Sequence, residues 1–282
     1  MFHVDQVPLP FASPSGRTLN PKGSKSCRIA GPNTSGLDKR QATLQLWICA
    51  DGNHQCVRPA LIFRGSSGPR SKVPWPKELA IYEELGNIRV HFQKNAWADG
   101  KFCQDDILEV AYEMYAGGVV GEVLIGMDNH SAQKTDEMEA LYARCNLIPL
   151  YTPSGCTDCI FPVDHVGRFI QNAMSKAYQQ EILTNPEVWF AANADEELDN
   201  PECKSAVARR ILMARWLSAA WTDLTTNHKH LIESAFVQTG FLVAKDGSED
   251  KNIQLQGWSL SEQYTYRQAT SRACACTACA DK

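Results

Sequence analysis

Glu122-Val-Leu-Ile-Gly-Met-Asp-Asn-His-Ser-Ala-Gln133 is the stretch on which the reading of the fold turns. An apolar run closes on a carboxylate, Asp128, trailed by Asn129 and His130. Gly117-Gly118 stops whatever precedes it, so Val119–Met127 reads as a buried strand with an acid at its carboxyl end. Upstream, Asp105–Tyr115 carries apolar residues at 107, 108, 110, 111, 114 and 115, which is one helical face. Downstream come an amphipathic helix over Asp136–Cys145, a strand over Leu147–Tyr151 and a helix over Asp164–Ile182. Strand, helix, strand, helix predicts parallel strands with helices packed on them.

Farther toward the N-terminus the pattern turns to hairpins. Thr43-Leu-Gln-Leu-Trp-Ile-Cys49 and Pro59-Ala-Leu-Ile-Phe63 read as paired strands around the Asp51-Gly52 turn, and Ile88–Phe92 as a further strand. Residues 1–11 read as a strand stub entering a Pro-rich turn. Residues 12–40 read as loop with one short strand at Cys27–Ala30, and 64–79 as turn-rich. Past residue 186 an acidic loop, Asp195–Pro201, precedes a long helix over Cys203–Leu224 and a shorter one over His230–Phe236. The expected organisation is an α/β mixed-sheet core over 1–185 with its first strand truncated. Helices over 186–245 pack on that core, and a poorly structured tail over 246–282 ends in Cys274, Cys276 and Cys279.

The 282 residues suffice for a sizeable core, and 21% charged with 44% apolar residues is ordinary for a globular chain. A net charge of −4 gives no chain-wide basic surface, so any nucleic-acid contact must be local. No apolar run approaches the roughly 20 residues of a membrane span, and no signal peptide is visible. Eleven cysteines without a secretory signal read as reduced thiols.

Three acids invite a chemical reading. Asp5 sits in Phe2-His-Val-Asp-Gln-Val-Pro, Asp128 ends its strand, and Asp164 closes Cys159-Ile-Phe-Pro-Val-Asp. Strand carboxyl ends collect functional groups in open α/β sheets, so the three can meet. Clustered carboxylates require cations to stay ionised together, and they suit Mg²⁺ or Mn²⁺. A metal pair about 4 Å apart would activate a water or 3′-hydroxyl for phosphoryl transfer. Local rules alone read Asp5 as a solvated terminal residue and Asp164 as a helix N-cap.

Ordered motifs carry the reading further: VDQVPLPF, ATLQLWICADG with RPALIFRG, NAWADGKF, VLIGMDNHSAQ, LYTPSGCTDCIFPVDHVGR, and RWLSAAWTDL with IESAFVQTGF. Over roughly residues 1 to 240 this set resembles the DDE superfamily endonuclease domain of pogo/Tigger/jerky-type transposases. The resemblance implies an RNase H-like fold, Mg²⁺- or Mn²⁺-dependent cleavage and transfer of DNA strands, DNA as partner with scope for self-association, and a place in the nucleus. It assigns the metal-binding catalytic acids to Asp5, Asp128 and Asp164. Asp158 is the alternative third ligand, and Phe161 stands where the family has Gln. Family members carry helix-turn-helix modules before the first acid. This chain starts four residues before Asp5, which also fits an inactive or domesticated nucleic-acid-binding copy.

Beside the acids, His130 reads either as a phosphate-orienting group or as a cap. Lys94, Arg168 and Lys176 are candidate phosphate contacts or plain solvated surface. Trp97 reads as core, and Trp216 and Trp221 as core or helix–helix contacts. Cys156-x-x-Cys159 has the spacing of half a zinc site, although a loop pair of thiols is the simpler reading.

Overall fold

A computed structural model describes residues 1–10, 41–51, 56–65, 76–94, 96, 98–152, 160–185, 206–244 and 246–255. Strands β1 (Phe2–Pro10), β2 (Gln41–Cys49) and β3 (Ala60–Arg64) form an antiparallel meander. Its register runs from Phe2 opposite Cys49 to Pro10 opposite Gln41, and sets Thr43 opposite Ile62. β4 (Arg89–Gln93) adds parallel to β3 at the far edge. On the free side of β1 lies β5 (Val123–Met127), parallel, with Phe2 opposite Ile125 and His3 opposite Gly126. β6 (Leu147–Tyr151) follows parallel to β5. The sheet order is β4-β3-β2-β1-β5-β6, and only β2 runs against the others. A meander extended from β1 by parallel strands, with helices on both faces, makes this an α/β RNase H-like fold.

Strand periodicity of two sends alternate residues of β1 to opposite layers. Phe2 and Val4 join Trp47, Ile62, Ile125 and Met127 under α2 (Gly100–Ala116) and α3 (Asp136–Arg144). Val7 and Leu9 join Leu44, Leu46, Leu61 and Phe63 under α4 (Pro162–Thr184), α5 (Ala206–Asn227) and α6 (Lys229–Gln238). α4 lies on β1 closely: a Cβ at Gly167 would stand 3.0 Å from Val7 Cγ2, and Gln171 Nε2 donates to the Pro8 carbonyl at 3.0 Å.

The expected helices and strands recur within a few residues of their anticipated ends, with three differences. Where a truncated strand entering a Pro-rich turn was expected, β1 runs nine residues through Pro8 to Pro10, paired with β2 along its length. β5 begins at Val123, not Val119, because the chain turns through 117–121 before entering the sheet. Residues 64–79 looked turn-rich, yet α1 (Pro76–Leu85) starts inside that stretch. Proline at a first helical turn lacks only an N–H that would go unbonded there, so Pro76 starts a helix instead of breaking one. The strand expected at Cys27–Ala30 lies outside the described residues.

The C-terminal helices are tied into the core. Ile211, Ala214, Leu217, Trp221 and Leu224 are buried at helical spacing along α5. Trp216 meets Tyr178 of α4 edge-on at 6.4 Å, so both tryptophans pack as read, one in the core and one between helices. The fully buried Glu78 of α1 accepts two bonds from Arg210 of α5, at 2.7 and 2.9 Å. Among the described residues, no helix is long and apolar enough to cross a membrane.

Candidate functional site

Asp5 sits mid-way along β1, opposite Leu46 of β2, and alternation turns its side chain to the α4 layer with Val7 and Leu9. Parallel pairing of β1 with β5 ends at His3 opposite Gly126. Carried on two residues, that register brings Asp5 level with Asp128, the first residue after β5, on the same face of the sheet. Asp164 occupies the first turn of α4, the helix laid over β1. Its N–H bonds to the Phe161 carbonyl at 3.2 Å, so it lies inside the helix and Phe161 is the cap residue. A carboxylate in a first helical turn is favoured by the helix dipole.

The electrostatics follow from that convergence. Burial pushes the Asp5 carboxyl up to about 7, and the negative fields of Asp164 and Asp128 add to the rise. The Gln6 N–H, donating to Asp5 Oδ1 at 2.7 Å, opposes it. Three acids far apart in sequence are thus close enough in space for two to disfavour ionisation of the third.

The donor chemistry of the three acids fits a hard divalent cation, because carboxylate oxygens are the ligands such ions prefer. A cation would also relieve the repulsion that raises Asp5. Among the described residues, though, no three His, Cys, Asp or Glu side chains already stand together as a ready metal shell. The convergence is one of fields and faces, looser than a closed coordination sphere.

The other candidates separate. His130 caps the 3₁₀ turn Ser131–Gln133, its Nδ1 accepting from Ala132 N at 3.3 Å, which is the capping alternative. Lys94 is exposed just beyond β4, three strands from β1, or roughly 14 Å across the sheet. Arg168 lies one turn beyond Asp164 on α4 with Lys176 farther along, both exposed. Asp158, Trp97, and the cysteines at 156, 159, 274, 276 and 279 lie outside the described residues.

Sequence reasoning passed over His3. It is fully buried on the same face as Asp5, and neither ring nitrogen has a hydrogen-bond partner among the described residues. Burial accordingly pulls its pKa down to about 3. The available signal was its place in the alternation, two residues before Asp5 on the inward face.

No family model matches the chain, and no curated protein matches it. Among solved structures it is similar to the Mos1 transposase in a paired-end complex with a left transposon end. The TM-score is 0.40 at 14% identity over 78% of this chain. The match spans 55% of that transposase chain, so this chain corresponds to little more than half of it.

Proposed function

We propose that the chain is a transposase-type DNA nuclease domain of the pogo/Tigger/jerky kind, with Asp5, Asp128 and Asp164 as ligands for Mg²⁺ or Mn²⁺. The supporting observation is that Asp128 and Asp164 both raise the carboxyl of Asp5, from positions on three different elements of one sheet face. Bound there, the metal would supply Lewis acidity for attack on a DNA phosphodiester. The chain's own part is to hold the acids. β1 and β5 carry Asp5 and Asp128 on neighbouring strands, and α4 brings Asp164 over them. Asp5, pushed up to about 7 and so about half protonated at neutral pH, would release its proton on binding.

Arg168 and Lys176 on the exposed side of α4, with Lys94 at the carboxyl edge, are the cations available to DNA phosphates on this reading. DNA as partner, association of two copies and a nuclear location belong to the same proposal.

The alternative is a copy that keeps the fold and binds nucleic acid without cleaving it. Calorimetric titration of Mn²⁺ and Mg²⁺ into wild type and Asp128→Asn separates the two. Binding by wild type that is lost in the variant, followed by metal-dependent nicking of DNA, supports the nuclease. No binding by either protein removes it and leaves the second reading.

A further inference from the structure

The geometry points to His3 and Phe241 as positioning residues for the acids, because one aromatic stack joins the three segments that carry Asp5, Asp128 and Asp164. The inference rests on the nuclease reading for its purpose, although the stack itself is independent of that reading. His3 packs edge-on against Phe161 with centroids 4.6 Å apart, and edge-on against Phe241 at 5.2 Å. Beneath the ring lies Gly126. A Cβ built there would fall 2.5 Å from His3 Cδ2 and 3.2 Å from Phe241 Cε1. Only a residue without a side chain lets the two rings reach the strand.

His3, Gly126 and Phe161 each stand just before one acid. His3 precedes Asp5 by two residues on β1, and Gly126 precedes Asp128 by two at the end of β5. Phe161 caps α4 three residues before Asp164. Two residues along a strand, or less than one helical turn, leaves little freedom to absorb a shift of the stacked ring. The position of the rings therefore sets the spacing of the carboxylates.

Phe241 closes the stack from another part of the chain. It follows α6, its N–H bonds back to the Phe236 carbonyl at 2.9 Å, and its ring meets the fully buried Phe236 at 6.5 Å. Phe241 thus adds a direct ring contact to the packing of the C-terminal helices on α4. Among the described residues the imidazole has no hydrogen-bond partner, which supports a positioning role beyond plain packing. A buried polar ring without hydrogen bonds is destabilising relative to an apolar one, so the core gains no stability from histidine here.

The test uses the full chain with His3→Ala, His3→Phe, Phe241→Ala and the milder Phe241→Leu, the last serving where the alanine variant does not fold. Two readouts are taken: Mn²⁺ affinity by calorimetry, and carboxyl ¹³C signals of the metal-free protein. If the stack positions the acids, folded His3→Ala and Phe241→Ala weaken Mn²⁺ about tenfold or more, the scale of supporting contacts around metal ligands. His3→Phe restores most of that loss. The signals of Asp5, Asp128 and Asp164 move together, while that of the buried Glu78, held by Arg210 of α5, stays. Affinity within about twofold of wild type together with unmoved signals overturns the positioning role. A wild type that binds no Mn²⁺ sinks the nuclease reading instead, and the carboxyl signals alone then decide whether the stack holds the three segments.

Discussion

Asp5→Asn removes an ionisation that the fold resists, and its consequence can be worked through. In the unfolded chain an aspartate titrates near about 4. In the fold, burial and the fields of Asp164 and Asp128 push Asp5 up to about 7. Between those values the folded state keeps a proton that the unfolded state has released. Stability is therefore undiminished below the lower value and falls as pH rises toward and through the upper one. At about 1.36 kcal/mol per tenfold, ionising Asp5 costs the fold on the order of 4 kcal/mol in total, of which about 2.5 kcal/mol accrues between pH 5 and pH 8.

Asparagine keeps the oxygen that accepts from the Gln6 N–H and cannot ionise. Its new amide donors, if unbonded, cost about 1–3 kcal/mol, but equally at every pH. The informative quantity is thus the change with pH of the difference between the two proteins. Urea unfolding in EDTA should show the Asp5→Asn variant gaining about 2.5 kcal/mol on wild type between pH 5 and pH 8. Parallel curves over that range would refute the argument, since Asp5 would then ionise as freely in the fold as outside it. At pH 8, Mn²⁺ at ten times its dissociation constant should return about 1.4 kcal/mol to wild type and nothing to the variant.

Three further outcomes are expected. Gly126→Ala forces His3 or β5 to shift, since backbone and a buried ring leave no space, and should lower stability by about 1–3 kcal/mol in thermal or urea unfolding. Combining it with His3→Ala should cost clearly less than the sum of the two single changes, because the second removes the clash. Arg210→Ala leaves the fully buried Glu78 with Tyr82 as its remaining partner, and should destabilise by about 3–5 kcal/mol, whereas the double change with Glu78→Leu recovers most of the loss. Trp216→Ala removes a helix–helix contact far from the acids, so it should lower the unfolding midpoint and leave Mn²⁺ affinity within about twofold.

What the sequence disclosed follows the length scale of each cause. The hairpin, the parallel pair around Asp128 and the long C-terminal helix are written in local periodicity, and each appears within a few residues of its expected ends. α1 was hidden because Pro76 and its neighbours read as turn-formers when the helix they open is not yet known. The meeting of Asp5 with Asp128 depends on a parallel register between residues 123 apart in sequence; strand-end reasoning allowed it, and no local rule encodes the register itself. The aromatic stack was invisible for the same reason. His3, Gly126, Phe161 and Phe241 are unremarkable until four elements are packed, and only then does the missing side chain at Gly126 acquire a meaning.

The distribution of unfavourable groups is itself an argument for a site at this place. Several deep ionisable side chains elsewhere are matched. Arg89 bonds Asp106 at 2.7 Å, Asp106 also accepts from Trp47 Nε1 at 3.0 Å, and Glu78 is gripped by Arg210. Isolated unpaired atoms occur on Gln45, His91 and Gln133, but among the described residues only His3 has both of its nitrogens buried without partners. Two residues along the same face stands Asp5, whose charge the fold opposes by burial and by two like charges. A fold optimised for stability alone would place Asn or Leu at position 5 and Phe at position 3. Local disagreement between a sequence and its own core, concentrated within three residues, is the pattern expected where function is held against stability. The relief that one divalent cation would bring to Asp5, Asp128 and Asp164 together is the simplest account of why that disagreement sits where three elements converge.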